Sequence, residues 1–277
     1  MKTLWLTQVA AIVRLEIGKT FFSRRGLWVY LLACMPMVIF GGHSIVWLKR
    51  GLPCDFGHDT NVFASIFQVL DMRLTLFFGC LGIFMNLFRG EMLDRSLHFY
   101  FLSPVRREVL LVGKYLAGLL AAVTIFTTST VVQWGLMYAH FPKSVMESYL
   151  RDGNGWRHLT AYAGVTVLGC IGYGSVFLLA GALMKNPIVP AAAVLVWESI
   201  NSFAPAVLQK FSVIYYLKSL CPIEAPPDVG PVFSMLLVNA DPVAPAVAVP
   251  GMLLFTMLVL VVAAMRVRKM EIHYGTD

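Results

Sequence analysis

The chain has 277 residues, of which 58% are apolar and only 13% are charged, about half the charged share of a soluble domain. That balance excludes an ordinary soluble domain and points to a polytopic membrane protein, since a span needs about 20 apolar residues to cross about 30 Å of hydrocarbon. The net charge of +7 is scattered over the ends of apolar runs, with no Lys/Arg tract that would track a phosphate backbone, so no nucleic-acid partner is expected.

In chain order, Thr3 to Phe22 is periodic at 3.6 residues but too polar to span. Trp5, Leu6, Val9, Ile12, Val13 and Ile17 share one side, and Gln8, Arg14 and Lys19 lie opposite. This predicts an interfacial helix within residues 1–26, lying on the membrane. Six spans follow: Leu27 to Leu48, Val62 to Phe88, Val109 to His140, Leu159 to Met184, Ile188 to Leu208 and Ala246 to Met265. Inside lipid the backbone must satisfy its own hydrogen bonds, so each is expected to be helical. Lys185-Asn186-Pro187 separates the fourth span from the fifth. Residues 209–245 hold six prolines and two short apolar stretches, Phe211 to Leu217 and Val232 to Val238, which fit interfacial or re-entrant half-helices. The fold class expected is therefore an all-α membrane protein, a single transmembrane domain over residues 1–277.

Orientation follows from Lys and Arg. With the N-terminus inside, the inner segments carry a two-to-one excess of these residues over the outer ones, which places both termini in the cytoplasm. The segment between spans two and three, residues 89–108, is then cytoplasmic. Glu91 and Arg95 are four apart, an acid-before-base helix pair. Leu93, Leu97 and Tyr100 share a face, Ser103-Pro104 ends the helix, and Arg106 and Arg107 mark the inner interface. A short amphipathic helix with fixed entry and exit is expected there.

Several polar residues fall inside the apolar runs. Glu198 sits about 15 Å into the fifth span by helical rise, close to the midplane, and Asn201 shares its face. Two readings stand: a translocation-pathway residue, or an acid packed by hydrogen bonds to Asn201, Gln133 or a neighbouring helix. Asp71 and Arg73, counted back from Phe88, fall near the outer edge, where they are expected to snorkel. Gly113, Ala117 and Ala121 form a small-residue stripe, and span four is rich in glycine; either serves packing within the chain or a dimer seam. Cys54 and Cys221 both lie in outer loops, where an oxidising compartment would let them pair. His43, His58 and His140 are scattered over outer parts and are expected at the surface, and no metal site is expected.

No nucleotide-binding loop is complete. Gly18-Lys19-Thr20 matches only the tail of one, Val13 stands where the earlier glycine is required, and the context is helical. Nor is there an HExxH, a paired intramembrane Asp or a Gly-x-Ser-x-Gly, so enzymatic activity is not expected.

The 89–108 segment is similar to the loop between spans two and three in permease subunits of type 2 ABC exporters. The pattern there is Glu, five residues, Leu, then Leu…Pro, a basic residue, and Gly-Lys entering span three. Glu91, Leu97, Leu102, Pro104, Arg106, Arg107 and Gly113-Lys114 match it, while Arg95-Ser96 replaces the usual Gly-Thr. The interfacial helix, the six-span layout and the broken segment before the last span extend the resemblance. It implies a coupling helix that docks on a separate ATPase subunit, with Glu91, Asp94, Arg95, Leu97, Leu102, Pro104, Arg106, Arg107 and Lys114 as coupling residues. It also implies a homodimer or a heterodimer with a related permease in the cell (inner) membrane among lipid. ATP and Mg would act in the partner, and no cofactor would act here. Alternatives are a membrane scaffold for an ATPase, or a secondary transporter, although the inverted repeats expected of the latter are not visible.

Overall fold

The apolar runs are long enough to cross a hydrocarbon core, and helices are what such runs must form. The computed structural model describes residues 2–22, 26–51, 55–93, 102, 105–183, 188–223 and 243–269, and among these all regular structure is helical. In order, α1 covers Lys2–Phe22 and α2 covers Leu27–Arg50. A continuous helix then runs through α3 (Phe56–Ile66), a π-helical stretch (Phe67–Thr75) and α4 (Leu76–Leu93). It is followed by α5 (Arg107–Met137), α6 (Lys143–Arg151), α7 (Gly155–Leu183), α8 (Ile188–Ile200), α9 (Ala206–Gln209), α10 (Val213–Leu220) and α11 (Pro245–Arg268).

Five helices are long and apolar enough to span: α2, the Phe56–Phe88 run, α5, α7 and α11. This is consistent with a multi-pass membrane protein. The fifth predicted span is the exception. Its regular helix stops at Ile200 after 13 residues, or about 20 Å, short of the hydrocarbon thickness. Pro205 forces the cause. The residue before a proline is driven out of the α region, and Ala204 is extended at φ −79°, ψ 154°. A 3₁₀ turn at Asn201–Phe203 absorbs the end of α8, and the chain restarts as the single turn of α9. The half-helix predicted over Phe211 to Leu217 is present as α10, which buries Val213, Ile214 and Leu217 against α7 and α11. Val232 to Val238 and the Lys185–Pro187 break lie outside the described residues.

The centre of the bundle is α4 against α7, with α5 beside both. Glycine sets the approach. A Cβ on Gly174 would lie 2.5 Å from the Phe84 ring, and one on Gly181 would lie 3.0 Å from the Met85 carbonyl oxygen. α1 lies on α5 in the same way, where a Cβ on Gly113 would come within 2.8 Å of Ile12. The Gly113/Ala117/Ala121 stripe is buried within the chain, so its use here is intramolecular packing. Aromatic rings fill the rest of the core, with Phe63 and Phe67 edge-on to Tyr162 at 4.9 and 4.8 Å. α2 and α11 sit at the periphery, and Leu31, Val38, Leu254 and Met257 point outward from them, as lipid contact favours.

Candidate functional site

The site begins at the close approach of α1 to α5. Gly113 lets the α1 backbone come near, and the next residue, Lys114, is completely buried beneath it. Glu16 lies one helical turn after Ile12 and therefore on the face of α1 turned to α5. The Lys114 ammonium donates to Glu16 Oε1 at 2.8 Å and to the Leu87 carbonyl at 2.8 Å, and pairs with Glu91 Oε2 at 2.8 Å. Two of these contacts are hydrogen bonds, and the one to Glu91 is an ion pair without hydrogen-bond alignment. Lys19 Nζ reaches Glu91 Oε1 at 3.4 Å and Glu16 Oε1 at 3.9 Å. Two carboxylates thus meet two ammonium groups, and the network links α1, the end of α4 and the start of α5. Burial pushes the Glu91 carboxyl above its ordinary range, and the neighbouring Lys114 charge pulls the other way.

Glu91 and Lys114, named as coupling residues by the resemblance, are both buried. Glu91 spends its oxygens on Lys114 and Lys19. Its predicted helix partner Arg95 lies outside the described residues, as do Asp94, Leu97 and Pro104. Leu102 is 80% exposed. The Arg106 guanidinium lies over the Trp5 ring, 5.1 Å from its centroid. Arg107 Nη1 donates to the Arg268 carbonyl at 2.8 Å and to that of Val267 at 3.4 Å, serving orphan carbonyls at the C-terminus of α11. Glu108 forms an ion pair with Arg268. The start of α5 is therefore tied to α1 on one side and to α11 on the other.

The structure does not bring Glu198, Asn201 and Gln133 together. Glu198 is buried, and its carboxylate accepts from Ser212 Oγ at 2.5 Å, Val213 N at 3.0 Å and Ile214 N at 3.2 Å. These are the first amides of α10, so Glu198 caps that helix across the break. Asn201 is buried, but its Oδ1 has no hydrogen-bond partner among the described residues. Gln133 Nε2 instead donates to Asp71 Oδ1 at 2.9 Å and to Ser129 Oγ at 2.8 Å. Ser129 Oγ in turn donates to the Ala33 carbonyl at 2.6 Å.

Asp71 corrects a further expectation. It is 3% exposed and faces the bundle rather than snorkelling, because the helix begins at Phe56 and carries Asp71 fifteen residues in. It sits in the π-helical stretch, a geometry that often marks functional sites. Cys221 carries a free thiol 3.7 Å from the Met72 sulfur, and Cys54 lies outside the described residues. Of the histidines expected at the surface, His58 is exposed. His140 is buried and His43 half-buried, both against Asp59.

Glu16 and Asp59 are the buried acids that the sequence does not single out. Glu16 had a usable signal: an acid on the apolar side of an amphipathic helix, one turn from Ile12. Compared with known proteins, the chain matches no family model and no curated protein.

Proposed function

We propose that this chain is the membrane-spanning permease subunit of an ABC transporter of the exporter type, powered by a separate ATPase subunit that docks on residues 89–108. The reading rests on the pattern Glu91, Leu97, Leu102, Pro104, Arg106, Arg107 and Gly113-Lys114 set between two long apolar helices. The observation that carries it furthest is the Lys114 network. It fastens the two helices that flank the segment to each other and to α1. A push on the segment would then move α1, α4 and α5 as one body, instead of being lost in a loose loop. In this reading Glu91 and Lys114 act as positioning residues, and the exposed Leu102 and the segment around it meet the partner. Both termini lie in the cytoplasm, ATP and Mg are handled by the partner, and the working unit pairs this permease with a second copy or a related one. Glu198, by capping α10, holds the broken segment in place.

The test is isolation of the tagged chain from its native membrane. An ATPase bearing a phosphate-binding loop should co-purify. Leu102→Asp should weaken that association by about tenfold or more, as loss of an interface anchor does, with the unfolding temperature of the permease unchanged. A chain that purifies alone, and that moves substrate or supports its partner equally well after Leu102→Asp, would overturn the reading.

A further inference from the structure

At the end of the bundle remote from Lys114, three elements converge. His43 comes from the second half of α2, Asp59 from the first turn of α3, and His140 from the turn that follows α5. His140 Nε2 lies 2.9 Å from Asp59 Oδ2, and His43 Nε2 lies 3.4 Å from Asp59 Oδ1. One ligand atom from each residue can be chosen so that all three lie within 4.8 Å of one another. Asp59 is fully buried. Both of its oxygens, and both Nε2 atoms, are buried without a hydrogen-bond partner among the described residues. Close as they are, the imidazoles are not aligned to donate to the carboxylate.

Ser44 fixes the state of His140. Its hydroxyl carries one hydrogen, and Oγ lies 2.5 Å from the Leu136 carbonyl and 3.2 Å from that of Met137, neither of which can donate. The hydroxyl hydrogen therefore goes to a carbonyl. Towards His140 Nδ1, at 3.2 Å, Ser44 Oγ can only accept. The proton of the neutral ring thus sits on Nδ1, and Nε2 carries its lone pair beside the Asp59 carboxylate, off the line of a hydrogen bond. A lone pair and a carboxylate oxygen at 2.9 Å repel unless a positive charge lies between them. A second imidazole nitrogen faces the same carboxylate. The Nδ1–H to hydroxyl bond is the outer-shell support that orients a metal-binding histidine.

We propose that His43, Asp59 and His140 form a binding site for a divalent first-row transition metal ion, with zinc the best match. Two imidazoles and one carboxylate are a borderline donor set that suits zinc and excludes calcium and magnesium, which take oxygen cages. Tetrahedral zinc with bonds of 2.0–2.1 Å separates its ligand atoms by roughly 3.3 Å; the 2.9 and 3.4 Å separations here run to the two different Asp59 oxygens, and one atom from each residue gives a group within 4.8 Å, so the side chains would draw in around the ion. Three protein ligands leave a fourth position for water or a substrate group. Trp47 stacks on His43 at 4.8 Å and Phe141 lies against His140 at 4.4 Å, which shields the ligands from bulk water. The ion would staple α2, α3 and the end of α5 together. This inference is independent of the transport reading.

The test uses the full chain in detergent with a tag that contains no histidine. After chelator treatment it is titrated with Co²⁺. The expected result is one equivalent bound, with the visible bands of a four-coordinate nitrogen/oxygen site, displaced by Zn²⁺, and a Zn²⁺-dependent rise in unfolding temperature. His140→Ala and Asp59→Asn should abolish the bands. Ser44→Ala should keep them but weaken Co²⁺ affinity by about 10- to 100-fold. Wild-type protein that binds no stoichiometric Co²⁺ or Zn²⁺ would overturn the proposal without recourse to any variant. Undiminished binding in His43→Ala and His140→Ala would overturn it equally.

Discussion

The two ends of α5 handle buried charge in opposite ways. Lys114 near its start and His140 just past its end are about 39 Å apart at 1.5 Å per residue. At the first end each buried carboxylate has an ammonium at 2.8 Å, and the Lys114 ammonium donates to Glu16 and to the Leu87 carbonyl. At the second, a fully buried carboxylate faces two imidazole nitrogens and, among the described residues, no donor is aligned to any of them. Burying a polar group is costly unless it is satisfied. The first end therefore has its compensating charge within the chain, whereas the second would gain it from the proposed ion. Substitutions at the two ends should accordingly differ in size and in sign.

The largest effect belongs to Lys114→Met. It leaves the buried Glu16 and Glu91 carboxylates with Lys19, whose side chain is 53% exposed, to balance them. Removing one partner from a buried ion network costs about 3–5 kcal/mol, a large part of the stability of an ordinary domain. Adding Glu16→Gln and Glu91→Gln in the same chain should recover most of the loss, because the uncompensated charge is gone. Unfolding in detergent, followed by denaturant or heat, reads both. A Lys114→Met protein as stable as wild type would mean the network is not closed as described.

Asp59→Asn should act the other way. In metal-free protein the Asn side chain removes a buried charge and gives His140 Nε2 a donor in place of a carboxylate oxygen. Stability should rise, by about 1–2 kcal/mol on the scale of a buried unsatisfied group regained. With Zn²⁺ present the order should reverse, since only the wild type gains from the ion. The check is a pair of unfolding curves with chelator and with Zn²⁺. A loss of stability in chelator would show that the wild-type carboxylate is already satisfied, which would erase the contrast between the two ends.

Both ends were poorly legible in the sequence, for a shared reason. The helices themselves were readable, because hydrophobic run length is a local property. α2, α5, α7 and α11 fall within a few residues of their predicted bounds. The fifth span extends to Leu208 in the sequence because apolar residues resume at Phe203 after Glu198, Ser199, Asn201 and Ser202, although backbone sterics before Pro205 end the helix. Asp71 was misplaced because depth was counted from Phe88 alone, and the helix starts six residues before Val62. The burial of Lys114 is not legible in the sequence because its partner Glu16 is 98 positions away. His43, Asp59 and His140 come from three elements, and no spacing rule joins them. Local patterns mark which residues are polar in an apolar setting; only packing decides which of them meet.

The smallest effect sharpens the contrast from within the matched end. Glu108, six residues before Lys114, forms an ion pair with Arg268, but the side chains are 31% and 65% exposed. An exposed pair contributes about 0–1 kcal/mol, and salt screens it. Arg268→Gln should therefore cost no more than about 1 kcal/mol at low ionic strength and almost nothing at 1 M salt, where the Debye length is about 3 Å. The Lys114→Met penalty should persist at 1 M, because solvent ions do not enter a site where Lys114 is fully buried and Glu91 is 6% exposed. The measurement is each variant's unfolding free energy at two salt concentrations. A Lys114→Met penalty that vanishes with salt would show that water and ions reach the network. The three helices it joins would then be tied by surface charge rather than by a buried lock.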